Sequence, residues 1–125
     1  MKRNHIKCVK RPWGYYTVIS QGKGYRVKLV EVLPKESLSL QRHNYRSEHW
    51  VVVEGRAKIT NNSKVFYLDP NESTYIPIKT IHRLENTGKK TLKIIEVQCG
   101  RKLTESDIER FKDNYGRTKQ RPAEE

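Results

Sequence analysis

Short apolar runs and stretches of alternating apolar and polar residues, the latter with the period of two that a half-buried β-strand requires, succeed one another along this chain. Tyr25-Arg26-Val27-Lys28-Leu29-Val30-Glu31-Val32 shows the pattern most plainly, after a turn at Gln21-Gly22-Lys23-Gly24. Residues 15–19 are rich in β-formers. Pro34-Lys35-Glu36 interrupts, residues 38–41 resume, and 49–53 form a β-branched run that stops near Gly55. Residues 57–60 and 64–68 flank Asn61-Asn62-Ser63, a good hairpin turn because Asn tolerates positive φ. Strands over 73–76, 81–84 and 91–98 follow, parted by Pro77 and by Asn86-Thr87-Gly88. Eight or so short strands at this spacing predict an all-β sandwich or jelly-roll barrel.

One segment has a different period. Thr104-Glu105-Ser106-Asp107 has the form of a capping box, Ile108, Phe111 and Tyr115 recur at helical spacing, and Gly116 is a fitting stop. The chain is therefore expected to divide into a basic N-terminal arm (1–10), a barrel (11–103), a C-terminal α-helix packed on that barrel (104–117) and a flexible tail (118–125).

At 125 residues one domain with one core is expected. The charged residues, 32% of the chain, interrupt apolar stretches instead of forming blocks, so the middle reads as folded. The net charge of +12 is spread along the chain and densest near both ends. No recognition helix, zinc finger or RNA-recognition signature accompanies it. It therefore reads as a solubilising field, or as attraction for an anionic metabolite, and no nucleic-acid partner is expected. Cys8 and Cys99 are too few for a disulfide framework. With no apolar run of membrane-spanning length, the expectation is a reduced, cytoplasmic setting with no membrane partner.

The candidate chemistry lies in Gln41-Arg42-His43-Asn44-Tyr45-Arg46-Ser47-Glu48. Gln41 and His43 are two apart, so on a strand they share a face. Glu48 opens the next strand across a turn, and His82 opens a distant one. Two imidazoles, a carboxylate and an amide oxygen meeting inside a barrel would suit Zn, Fe(II), Mn, Co or Ni, with a position left for water or substrate. On spacing alone, ordinary surface or core histidines explain these residues as well.

A resemblance narrows the choice. Residues 34–55 are similar to the first cupin motif, two ligands one residue apart followed by an acidic one and a closing Gly. Residues 71–86 are similar to the second, with Pro77, His82 and Asn86 at its offsets. More narrowly, Arg11-Pro12-Trp13-Gly14-Tyr15-Tyr16, Leu38-Ser39-Leu40-Gln41, Arg46-Ser47-Glu48-His49-Trp50-Val51-Val52-Val53, Asn71-Glu72-Ser73-Thr74-Tyr75-Ile76-Pro77 and His82-Arg83-Leu84-Glu85-Asn86 resemble type II phosphomannose isomerase. That domain is the cupin (double-stranded β-helix) module of the mannose-6-phosphate isomerase / mannose-1-phosphate guanylyltransferase family, here expected in stand-alone form. Ile95-Glu96-Val97-Gln98 and Asp113-Asn114-Tyr115-Gly116-Arg117 extend the likeness over residues 11–117. Gln41 agrees with the family's replacement of the usual first cupin histidine. Lys79 departs from the common Gly, and Asn44 and Tyr45 stand where relatives often carry histidines.

The resemblance implies metal-dependent interconversion of mannose 6-phosphate and fructose 6-phosphate through an enediol. It implies one divalent ion, zinc first, held by Gln41, His43, Glu48 and His82, and a homodimer. No Gly-rich nucleotide loop precedes the barrel, so guanylyltransferase chemistry is not expected of these residues. Arg46 and His49 are the candidate catalytic groups, and Arg46, Lys28 and Trp13 the candidate substrate contacts. Each has a plain alternative: an ion pair for Arg46, an outward face for His49, solvation for Lys28, and core packing for Trp13 and Tyr16. Another sugar-modifying cupin, or a non-catalytic cupin that binds metal or sugar phosphate, fits the same residues.

Overall fold

Eleven strands succeed one another in the computed structural model, which describes residues 7–117, and no helix occurs among them. They are β1 (Cys8–Arg11), β2 (Gly14–Gly22), β3 (Tyr25–Val32), β4 (Leu40–Arg42), β5 (Arg46–Glu54), β6 (Ala57–Asn61), β7 (Lys64–Leu68), β8 (Ser73–Ile76), β9 (His82–Glu85), β10 (Leu92–Gly100) and β11 (Glu109–Lys112). A six-stranded sheet in the order β1-β2-β3-β10-β5-β8 faces a five-stranded sheet in the order β11-β4-β9-β6-β7. Every pairing is antiparallel. The two sheets enclose one core, which includes Val32, Val52, Ile59, Leu84, Leu92 and Ile94. This is the expected all-β jelly-roll barrel. No helix of the described residues is long and apolar enough to cross a membrane.

Turn chemistry explains several connections. Gly24 takes φ 80° between β2 and β3, and Asn62 takes φ 60° between β6 and β7. Lys79 takes φ 66°, so the left-handed turn that a Gly adopts freely is kept here by a side chain that adopts it with strain.

The predicted helix over 104–117 does not form. Its capping-box residues make a turn, and residues 109–112 become β11, paired with β4 at Glu109↔Arg42 and Arg110↔Gln41. A short helix is marginal on its own. Here a ladder along the open edge of β4, together with the side-chain ties of this turn, replaces it. Asp107 accepts from the backbone N–H groups of Asn44 (2.9 Å) and Tyr45 (3.0 Å), and Glu105 accepts from Lys28 (2.7 Å). The expected arm is also shorter than 1–10, since residues 8–11 pair with β2. The expected tail, 118–125, and residues 1–6 lie outside the described residues.

Candidate metal centre

Strand alternation sorts the long strands into an inward and an outward face, and the inward face changes character along its length. On β3 it reads Lys28, Val30, Val32; on β5, Arg46, Glu48, Trp50, Val52; on β10, Leu92, Ile94, Glu96, Gln98. Pairing stacks like with like. Val32 lies opposite Leu92 and Val30 opposite Ile94, whereas Lys28 lies opposite Glu96 and Glu48 opposite Gln98. One end of the barrel is thus apolar and the other carries buried charge. A cavity of about 100 Å³ opens at the charged end.

His43, Glu48 and His82 meet in that cavity, with one ligand atom from each within 4.8 Å of the others. Gln41 on β4 pairs with His82 on β9 and lines the same space. The imidazole centroids of His43 and His82 are 5.0 Å apart. Each ring has its Nδ1 committed to a backbone carbonyl: His43 donates to Asp107 O at 2.6 Å and His82 to Thr80 O at 2.8 Å. Such bonds fix the tautomer and leave the Nε2 lone pair for a metal. The Gln41 amide nitrogen donates to Ser39 O (3.3 Å), which leaves its oxygen as the ligand atom. The Trp50 indole N–H donates to Glu48 Oε1 (2.8 Å), which leaves Oε2 as the carboxylate oxygen turned toward His43 Nε2, 3.3 Å away. Two imidazoles, one carboxylate and one amide therefore fit a divalent cation by their chemistry and their aim.

A guanidinium occupies part of this space. Arg46 donates to Glu48 Oε2 at 2.8 Å, and its Nη2 lies 3.3 Å from His43 Nε2. These are lone pairs that a metal would use, and their convergence on a cation supports the donor assignment. The electrostatics match. Burial alone would raise Glu48, but His43, Arg46, His82 and the Trp50 N–H outweigh it and hold the carboxyl at about 2. Burial lowers His82 to about 4 and also lowers His43, so both rings are neutral near pH 7.

Lys28 and Trp13, expected as substrate contacts, line the cavity and are 4% and 6% exposed. Lys28 Nζ sits 4.0 Å from the Tyr16 ring centroid and bonds Glu105, so solvation is not its role. His49 does not join them. One step along β5 from Glu48 turns it outward, where it is exposed and stacks on Tyr75 with centroids 4.6 Å apart.

The sequence reading missed Glu96. Its carboxyl lines the cavity, is 7% exposed, and accepts from Gln98 Nε2 at 2.6 Å. Burial, then the charge of Glu48, push it up to about 7 against the pull of Lys28 and Arg46. Its place in step with Leu92 and Ile94 on β10 is a signal that Ile95 and Val97, apolar on the opposite face, offset.

Comparison with known proteins gives the lineage. A solved oxalate decarboxylase from Lactobacillus farciminis superposes with a TM-score of 0.73 at 20% identity, over 85% of this chain and 33% of that one. That likeness shows the fold, a cupin barrel. Alginate biosynthesis protein AlgA of Pseudomonas putida is 54% identical over 93% of this chain and 24% of its own length. Mannose-1-phosphate guanylyltransferase ManC of Salmonella typhimurium is 52% identical over 87% of this chain and 23% of its own. The chain thus spans about a quarter of the curated relatives it matches. The model of the family described as "Mannose-6-phosphate isomerase C-terminal" matches residues 1–113, and this chain belongs to that family.

Proposed function

We propose that this chain interconverts mannose 6-phosphate and fructose 6-phosphate as a metal-dependent aldose–ketose isomerase. The observation that carries the reading is the aim of two Nε2 lone pairs and one carboxylate oxygen into a cavity with basic walls, in a member of this family. His43, Glu48, His82 and Gln41 would hold one divalent ion, zinc first and Co, Mn, Ni or Fe as alternatives. When bound, such an ion supplies Lewis-acid stabilisation of oxyanion charge on the sugar's carbonyl and adjacent hydroxyl.

The chain's own residues do the rest. Glu96 is the carboxyl suited to take a proton from one of C1 and C2 and return it to the other, since a base poised near neutrality is half ionised at working pH. Gln98 fixes one of its oxygens and leaves the second for substrate. Arg46, with its planar fork beside Glu48, is the group suited to meet sugar oxygens as negative charge develops on them. Trp13 walls the cavity and excludes water from the enediol. Dimerisation through the open sheet edges belongs to the same reading, and light scattering at micromolar concentration tests it.

A coupled assay for fructose 6-phosphate from mannose 6-phosphate, with zinc, cobalt or manganese added, tests the activity. No turnover by fully metal-loaded protein would reduce the site to a binding function.

A further inference from the structure

Beyond the metal-type residues, the cavity is lined by Arg11, Arg110 and Arg117, all half-buried. They come from the end of β1, from β11 and from the turn after it, so only the folded sheets bring them together. Their partners are unequal. Arg117 is held by Asp113 through Nε and Nη2, both at 2.8 Å, and the Asp113 side chain is fully buried beneath it. Among the described residues Arg11 donates only to Lys10 O (3.1 Å) and the Tyr16 hydroxyl (3.4 Å). Among the described residues Arg110 Nε is buried without any hydrogen-bond partner, and neither Arg11 nor Arg110 has an ion pair.

A buried guanidinium nitrogen without an acceptor is costly, and like charges around it add to the cost. Burial, then the Arg117 guanidinium, push Arg110 below its usual range, with Arg11 adding to the push. The nearby carboxylates are already engaged: Glu105 accepts from Lys28 and Arg26, and Asp113 from Arg117. The spare donors of Arg11 and Arg110 suit an external anion with several oxygens. A tetrahedral dianion offers three terminal oxygens to planar forks arriving from three directions.

We infer that Arg11, Arg110 and Arg117 form the clamp for a phosphate monoester, Arg110 at its centre, and so hold the phosphate end of the substrate while its sugar end lies toward His43, Glu48 and His82. The assignment rests on the isomerase reading for the sugar, but not for the anion. Arg117 is pre-oriented by Asp113, whereas Arg11 and Arg110 have donors to spare.

Calorimetric titration of the full chain after chelator treatment separates binding from turnover. The ligands are mannose 6-phosphate, mannose and inorganic phosphate; the proteins are wild type, Arg110→Ala, Arg110→Lys and Arg11→Ala. The expected result is that wild type prefers the sugar phosphate to either fragment. Arg110→Ala then weakens mannose 6-phosphate by about tenfold or more, Arg110→Lys recovers part of the loss, and Arg11→Ala loses less. Mannose 6-phosphate bound by both alanine variants within a factor of two of wild type would overturn the clamp. If Arg110→Ala melts early, Arg11→Ala decides alone, and unchanged affinity there overturns it. Inorganic phosphate bound as tightly as the ester would overturn the assignment to substrate, leaving a free-anion site. A wild type that binds the ester through these arginines without converting it, once metal-loaded, supports the clamp and removes only the isomerase reading.

Discussion

The two ends of the barrel interior are built on the same strands and treat burial in opposite ways. Where Val30, Val32, Val52, Leu92 and Ile94 meet, exclusion of water is enough, at about 25 cal/mol per Å² of apolar surface removed. At the other end Lys28, Arg46, Glu48 and Glu96 are buried, and each ion demands a partner. Apolar residues in place of such a network are often neutral or stabilising. Selection for stability alone therefore does not account for the charged end; selection for chemistry does. A barrel with its apolar end intact can carry that strain because the layers stack separately along the strands.

Predictions follow from breaking one end while watching the other. The largest effect belongs to His82→Ala, which should bring isomerase activity to background and metal content, by elemental analysis, to trace levels. Metal retained at the wild-type ratio would remove His82 from the ligand set. Glu96→Gln comes next, lowering kcat by about 10²–10⁴ while metal content stays unchanged. Wild-type activity should rise as pH climbs through about 7, because the carboxylate is the base, and the variant should lose that limb. The same group gives a stability signature. Its folded value lies above the unfolded one near 4.5, so the native state holds the extra proton and wild-type stability falls between about pH 4.5 and 7. Denaturation at pH 5 and pH 8 should show the Gln variant gaining on wild type at the higher pH. At the apolar end, Leu84→Ala should cost about 2–5 kcal/mol by chemical denaturation with metal stoichiometry unchanged. His49→Ala is the smallest: stability within about 0.5 kcal/mol and activity near wild type.

Much of this contrast was legible in the chain. The strands over 25–32, 64–68 and 73–76 were read to the residue, because turn residues bound all three and alternation filled the first. The shared face of Gln41 and His43 followed from a spacing of two. Lys28 and Glu96 were harder for one reason. In β3 and β10 both faces carry apolar residues, Val27 and Leu29 against Val30 and Val32, Ile95 and Val97 against Leu92 and Ile94. Alternation then cannot say which face is inside, and a lysine or glutamate defaults to solvent. The 104–117 segment failed because Ile108, Phe111 and Tyr115 satisfy a helical period that no local signal contradicts, whereas its true partner, β4, lies more than sixty residues upstream. Arg11, Arg110 and Arg117, which line the cavity, come from the two ends of the chain, and no spacing rule links them.

The Nδ1 proton of His43 is received by Asp107, a residue 64 positions further on, whose carboxylate also pins the two amides that follow the histidine. As the polypeptide leaves the ribosome, both imidazoles and the glutamate emerge well before the residue that aims the first of them. A nascent chain cut short of Asp107 would carry every ligand but leave His43 unaimed. Cation capture should therefore come late in biogenesis, after the last strand has closed against the sheet edge.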